Sequence, residues 1–237
     1  KCIPGSTARV EKVAQTINTL YPEANLVFLD FPNTSGVGQT REISELIARL
    51  NPLGQIQSIS RFQVVAHEGD LKLDSIMDLA LKDSVMNLVI TLTEDKVFLS
   101  TLVGVLRGGS KRDSTGVRLI VSSRIMDINT LDFNYLNDLQ VTMTNNNFVD
   151  YKDLSTKHFI ESYRKAYLEE PSKYAFQGYD VGMFFLGKLW RSGAYFDRSI
   201  QTETRMLSTG FNIQPTGSGG YENQYMLLTR VLDYQLV

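Results

Sequence analysis

The sequence predicts an α/β protein built on a doubly wound parallel sheet, followed by a segment of helices and strands in another arrangement. Short apolar runs alternate with stretches of helical periodicity over roughly residues 1–143, a pattern typical of parallel strands covered on both faces. The composition permits such a core, because 43% of the 237 residues are hydrophobic. Beyond residue 145 the alternation stops, so we place the domains at 1–144 and 145–237.

The first segment contains five expected strands separated by helices. A helix comes first, since apolar residues recur at helical spacing from Val10 to Leu20 and Pro22 follows. Strands are expected where apolar residues are consecutive, because a strand buried on both faces needs no polar positions. These strands are predicted at 26–29, 62–65, 88–92, 117–121 and 139–143. The intervening helices are predicted at 43–50, at 73–80 and from 94 to about 107, the last capped by Thr93.

The second segment begins at a break predicted by Asn145-Asn146-Asn147, since asparagine favours turns. One helix is expected around Phe159 and Tyr163, a second from about 174 to 191, and a strand within 225–231. The second helix is apolar nearly all round and is therefore expected to be buried. Its apolar residues are Val181, Met183, Phe184, Phe185, Leu186, Leu189 and Trp190.

Charge and cysteine content exclude several classes of function. The 24 basic and 26 acidic residues give a formal charge of −2, so there is no basic surplus of the kind that nucleic-acid binding requires. No apolar run approaches the roughly 18 residues that span a bilayer. A single cysteine and two histidines cannot build an internal disulfide or an ordinary structural zinc site. We therefore expect no metal and no cofactor.

Polar loops follow three of the expected strands. The first, Ser35-Gly36-Val37-Gly38-Gln39-Thr40, lacks the third glycine of a dinucleotide site and the lysine of a phosphate loop. Either its backbone amides and the hydroxyls of Thr34 and Ser35 face a cleft, or the loop is merely flexible. Arg124, after a later strand, either grips an anion in a two-pronged hydrogen bond or anchors a neighbouring loop.

Catalysis finds little support in the sequence. A Ser/His/Asp site would have to recruit His67 or His158, and no Gly-x-Ser-x-Gly elbow occurs. Cysteine catalysis would need Cys2, at the start of the chain. We expect no catalytic residue, although a flavodoxin-like enzyme using His67 or a cofactor stays open as a third hypothesis.

Several segments resemble a known family in their order along the chain. They are the strand-loop-helix at 26–50, Phe159-x3-Tyr163, and Ala175-Phe176-Gln177-Gly178-Tyr179-Asp180. This order resembles the second lobe and closing segment of type I periplasmic binding proteins, above all the leucine/isoleucine/valine-binding receptors. The amino-acid sequences of segments 178–185 and 219–224 also resemble those of receptor-like domains of Bacteroidetes proteins, some of which are attached to peptidoglycan-binding modules.

The resemblance implies a non-catalytic solute-binding or receptor-like domain of the cell envelope, in which two lobes close around a small polar ligand. It implies a periplasmic or envelope-associated protein whose signal peptide lies outside this chain, with a transporter or a peptidoglycan-binding module as a possible partner. The expected ligand-binding residues lie at strand ends: Thr34, Ser35, Thr93, Glu94, Ser123 and Arg124.

Two departures from the family pattern shape these expectations. Ser35 stands where those receptors commonly present a tyrosine, and Arg124 stands near the position of their acidic residue, which argues against free α-amino acids as ligands. The opening units of the first lobe are absent, so we expect a second copy or another segment to cover helix 174–191. The alternative function is a structural or interaction module of the envelope that has lost ligand binding.

Overall fold

The computed structural model describes residues 2, 4–32, 34, 36–51, 56, 58–66, 71–108, 116–217 and 219–237. The chain divides into two compact units. Unit 1 comprises Lys1–Ala8 and Asn145–Leu227, and unit 2 comprises Arg9–Thr144 and Leu228–Val237. Within the described ranges, no helix is both long enough and apolar enough to cross a membrane.

The elements alternate between helix and strand until β5 and then change order. The helices are α1 (Ser6–Leu20), α2 (Val37–Leu50), α3 (Leu73–Ala80), α4 (Lys96–Gly108), α5 (Phe133–Asp138), α6 (Leu154–Tyr167), α7 (Lys173–Ser192) and α8 (Phe196–Ser199). The strands are β1 (Asn25–Asp30), β2 (Ser58–Gln63), β3 (Asn87–Ile90), β4 (Val117–Ser122), β5 (Thr142–Asn145), β6 (Thr204–Arg205), β7 (Gly210–Phe211), β8 (Ile213–Pro215), β9 (Tyr221–Asn223), β10 (Leu227–Leu232) and β11 (Gln235–Leu236).

Unit 2 is organised around a sheet with the strand order β11-β10-β5-β4-β3-β1-β2 in the described part of the chain. The first five strands pair in parallel, in the order 2-1-3-4-5 that characterises doubly wound folds. The predicted fold class is confirmed. Because β1, β3 and β4 are parallel neighbours, their carboxyl ends lie at one edge of the sheet.

Both faces of this sheet are covered by helices. Along β1, Val27 and Leu29 belong to the core shared with α3 and α4, whereas Leu26 and Phe28 belong to the core shared with α1 and α2. All four side chains are fully buried. Burial on both faces explains why β1, β3 and β4 are nearly continuous apolar runs, the signal by which the sequence predicted them.

Two strands lie away from their predicted positions. The strand predicted at 62–65 is β2 at Ser58–Gln63, an edge strand whose residues alternate between half-buried and exposed and so give no apolar run. The strand predicted at 139–143 is β5 at Thr142–Asn145. Leu139 instead ends α5, and Gln140 has a positive φ of 41°, which excludes it from an extended strand.

Helix α4 begins later than predicted and has a different cap. The backbone N–H of Phe98 donates to Asp95 Oδ1 over 2.8 Å, the bond expected of an N-cap residue. Thr93 Oγ1 accepts from the backbone N–H of Asp95 instead, over 3.2 Å. Thr93 therefore shapes the turn before the helix, and Asp95 caps the helix.

Unit 1 contains a small apolar core and one buried carboxylate. Phe184 stacks on Phe211 with ring centroids 4.4 Å apart, next to Ile200 and Ile213. Asp180, on α7, is fully buried. Its carboxylate accepts hydrogen bonds from three consecutive backbone N–H groups, at 207–209, and from the Ser208 hydroxyl at 2.6 Å. This carboxylate ties α7 to the segment before β7.

The expectation that helix 174–191 is buried all round is wrong for this chain. Phe176, Asp180 and Phe184 form the buried side of α7. The opposite side is open, with Trp190 91% exposed and Leu186 66% exposed. A single buried stripe holds the helix in unit 1. Within the described ranges, no residue encloses Trp190 or Leu186.

Candidate ligand-binding site

The carboxyl edge of the unit 2 sheet, which we call the rim, is formed by the turns after β1, β3 and β4. Glu94, after β3, and Arg124, after β4, meet there, with 3.8 Å between Glu94 Oε2 and Arg124 Nε. Arg124 Nη1 also donates to Asp127 Oδ2 over 3.2 Å. The topology thus brings together two predicted site residues that are 30 positions apart in the chain.

The Glu94–Arg124 pair remains accessible to solvent. The side chains of Glu94 and Arg124 are 41% and 61% exposed. An exposed ion pair of this length contributes at most about 1 kcal/mol to stability. Both groups therefore keep unused hydrogen-bonding capacity and can turn toward a polar solute without a large loss of fold stability.

Three other predicted site residues that the structure describes, Thr34, Thr93 and Ser123, lie at the same strand ends. Thr34 Oγ1 donates to the carbonyl of Phe31 over 2.7 Å. Thr93 is buried and accepts the turn hydrogen bond described above, and Ser123 is half-buried at the start of a short 3-10 helix. Ser35 lies outside the described residues, as does His67.

The turn after β1 approaches the end of β3 very closely at Gly36. A Cβ atom placed on Gly36 would lie 2.4 Å from the carbonyl carbon and oxygen of Leu92 and 2.8 Å from the backbone N of Thr93. Only glycine fits at this distance, because the obstructing atoms are backbone. The first glycine of the Gly-x-Gly sequence therefore serves a steric purpose, and it holds the two turns of the rim against each other.

Sequence reasoning missed Arg9, which reaches the rim from α1. Its Nη1 donates to Gln39 Oε1 on α2 over 3.4 Å, and its Nε is enclosed with no acceptor in the described part of the chain. Burial lowers the pKa of Arg9, and the nearby negative charge of Glu94 raises it. A weak signal existed, since Arg9 lies one helical turn before Val13 on the buried side of α1.

A second missed group is Asp30, at the last position of β1. Its Oδ2 accepts two hydrogen bonds from the guanidinium of Arg61, at 2.8 and 2.7 Å, and its Oδ1 accepts from the Thr40 hydroxyl. With both oxygens engaged and the carboxylate almost fully buried, Asp30 fixes β1 against β2 and α2. We assign it a structural role.

Unit 1 holds a cleft of about 490 Å³ with a mixed lining. Carboxylates at Asp150 and Asp153 face apolar side chains that include Tyr179 and Met183. Asp153 is already the N-cap of α6, accepting from the backbone N–H of Thr156 over 3.0 Å. None of the predicted site residues lines this cleft. Among the described residues, no three His, Cys, Asp or Glu side chains cluster in a way that could hold a metal ion.

Comparisons with known proteins identify the fold. The chain matches no protein-family model, and no curated protein matches it. Among solved structures, an ABC transporter substrate-binding protein from Desulfitobacterium hafniense in complex with Leu aligns over 99% of this chain with a TM-score of 0.59 and 16% identity. The chain has the fold of type I periplasmic binding proteins.

Two further structures share the fold. A putative branched-chain amino acid ABC transporter protein from Rhodospirillum rubrum aligns over 99% of this chain, with a TM-score of 0.58 and 12% identity. A leucine-, isoleucine-, valine-, threonine- and alanine-binding protein from Brucella ovis aligns over 97% of this chain, with a TM-score of 0.54 and 13% identity. This chain spans 65% of the length of the Desulfitobacterium and Rhodospirillum proteins and 58% of the Brucella protein.

Proposed function

We propose that this protein is a non-catalytic solute-binding or receptor-like protein of the cell envelope that recognises a small polar solute at the rim. The observation that carries the proposal is the meeting of Glu94 and Arg124 at the carboxyl edge of the sheet. In open α/β sheets, ligands bind outside the carboxyl ends of the strands. The Desulfitobacterium protein is a substrate-binding protein and the Brucella protein an amino-acid-binding protein, and their shared fold supports a solute as the ligand.

The chemistry of the rim favours a polar solute over an apolar one. Glu94 offers carboxylate acceptors, Arg124 offers guanidinium donors, and the hydroxyls of Thr34 and Ser123 add short-range hydrogen bonding. The close contact at Gly36 holds two of these turns in a fixed geometry before a ligand arrives, which reduces the ordering cost of binding. We also propose that a second lobe closes over the bound solute.

A thermal-shift screen tests this function directly. A solute that binds the folded state at 100 times its Kd stabilises it by about 2.7 kcal/mol, which corresponds to a rise in Tm of about 5–10 °C for a domain of this size. The screen uses neutral, cationic and anionic amino acids, sugars and carboxylates. We expect at least one class to stabilise the wild type and its effect to shrink in Glu94→Gln and Arg124→Gln.

The chain offers a matched control for those variants. Arg41 and Glu45 form another exposed ion pair, with 2.9 Å between Nε and Oε1 on the surface of α2. Arg41→Gln should leave the solute-induced shift unchanged, since the Arg41 guanidinium pairs with Glu45 on the exposed surface of α2 and has no hydrogen bond to a described residue of the rim. Absence of any stabilising solute, or equal losses in the Arg41 and Arg124 variants, would contradict a binding site at the rim.

The alternative function, an interaction module without a solute, is favoured by the exposed side of α7. Trp190 and Leu186 offer apolar surface of the kind that marks contact sites. A second copy or another segment would cover this side and shift the fluorescence of Trp190, the sole tryptophan of the chain. Light scattering and tryptophan emission over a dilution series test this. Solute binding with no concentration dependence would exclude the alternative.

A further inference from the structure

Arg9 carries a positive charge that the described part of the chain does not neutralise. Its enclosed Nε has no acceptor, and its one hydrogen bond, to the amide oxygen of Gln39, is long at 3.4 Å. No carboxylate of a described residue forms an ion pair with it. Removing a cation from water is unfavourable unless a counter-charge or full hydrogen bonding compensates.

The position of Arg9 connects this charge with the rim. Gln39 follows Gly36 by three residues and belongs to the first turn of α2, and Glu94 is the charged group whose field acts on Arg9. Glu94 in turn lies 3.8 Å from Arg124. Glu94 therefore pairs with Arg124 and also acts electrostatically on Arg9, whose guanidinium is partly desolvated.

We propose that Arg9 is an anion-binding residue of the rim and that the solute recognised there carries a carboxylate or a comparable oxyanion. This inference rests on the proposed function and narrows its ligand to one charge class. Nη1 of Arg9 is held by Gln39 and Nε is enclosed, so Nη2 and the second N–H of Nη1 are left to meet a carboxylate. The bound anion supplies the counter-charge that the fold omits.

The experiment compares the wild type with Arg9→Gln and Arg9→Lys at constant ionic strength, which keeps general salt screening equal. The probes are succinate and inorganic phosphate as anions, glucose as an uncharged solute without an oxyanion and putrescine as a cation. We expect an anion to raise Tm and to bind the wild type by calorimetry. Arg9→Gln should weaken that binding at least about thirty-fold, the effect of removing one partner of a desolvated charge pair. Arg9→Lys should weaken it less.

Arg118 provides the matched control. Burial also lowers the pKa of Arg118, but it lies near the amino end of β4, at the opposite edge of the sheet, where its Nη1 donates to the carbonyl of Val117. Arg118→Gln should leave anion binding unchanged. If Arg9→Gln fails to fold by circular dichroism, the Lys variant, which keeps the charge but loses the planar fork, decides the question.

Each outcome bears on the inference. The inference is supported if succinate or phosphate binding is lost in the Arg9 variants but not in Arg118→Gln. The probe with the higher affinity for the wild type then identifies the kind of oxyanion. Binding of glucose or putrescine with no anion response overturns the inference while leaving the proposed function intact. Equal anion binding in wild type and both Arg9 variants also overturns it. If no probe of any class binds, both the inference and the proposed function fail.

Discussion

Replacing Gly36 by alanine should loosen the rim and destabilise unit 2. The added Cβ would lie 2.4 Å from backbone atoms of Leu92, about 1 Å inside ordinary contact distance. No rotamer change can relieve this overlap, since the obstructing atoms belong to the main chain. The turn or the end of β3 must therefore move. Gly36 has a φ of −87°, so backbone strain plays no part.

The magnitude follows from overpacking. Inserting a methyl group into a filled space costs about 1–3 kcal/mol, which corresponds to a decrease in Tm of about 2–12 °C for a chain of this size. Solute affinity should fall as well, because two turns of the rim lose their mutual position. Urea denaturation followed by circular dichroism measures the first effect, and the thermal-shift response to solute measures the second.

Gly38 supplies a control with the opposite expected sign. It lies two residues further on, within α2, and an added Cβ would meet no atom within 4 Å. Gly38→Ala should stabilise the protein by about 0.5–1 kcal/mol, the usual gain from replacing glycine inside a helix. If Gly36→Ala were as stable as the wild type, or if the two variants shifted together, the close contact at the rim would be refuted.

Three further predictions concern the polar groups. Asp180→Ala should lower the stability of unit 1 by about 3–5 kcal/mol, because four donors lose one buried acceptor. The exposed Glu169→Ala should change that stability by less than about 0.5 kcal/mol, and urea denaturation distinguishes the two variants. Asn87→Ala should lower the free energy of unfolding by about 2–4 kcal/mol, since this buried amide forms hydrogen bonds with Asn25 and Lys82. A decrease below about 0.5 kcal/mol would contradict the stabilising role of these hydrogen bonds. Glu94→Gln should change stability by under about 1 kcal/mol in the same assay while altering solute binding; a larger loss would make the pair structural.

The fold was predictable where strands consist of consecutive apolar residues. The run at 26–29 is apolar at every position and the run at 88–92 at every position except Thr91, because both faces of β1 and β3 are buried. The edge strand β2 gave a weaker signal, since only alternate residues are half-buried. The environment of α7 was unpredictable for another reason. An apolar surface indicates that a helix can be covered, but does not identify what covers it.

The candidate site was predictable only in part, for reasons of topology. Glu94 and Arg124 follow parallel strands directly, so the strand order places them at one edge. Arg9 precedes the first strand and lies on a helix whose periodicity indicates only a buried side. The purpose of Gly36 depends on its distance to Leu92, 56 residues later, and such a contact leaves no local pattern.

The last ten residues join the sheet beside β5, although 83 residues separate them from residue 144 along the chain. During synthesis, β5 therefore emerges long before β10 exists, and its outer backbone groups stay unpaired for roughly 4–17 s at 5–20 residues per second. The unpaired N–H and C=O groups of an open strand edge can form hydrogen bonds with an incorrect strand. Synthesis of this protein thus includes an interval in which β5 is exposed to incorrect pairing, and this interval ends only when residues 228–237 have been translated and have joined the sheet.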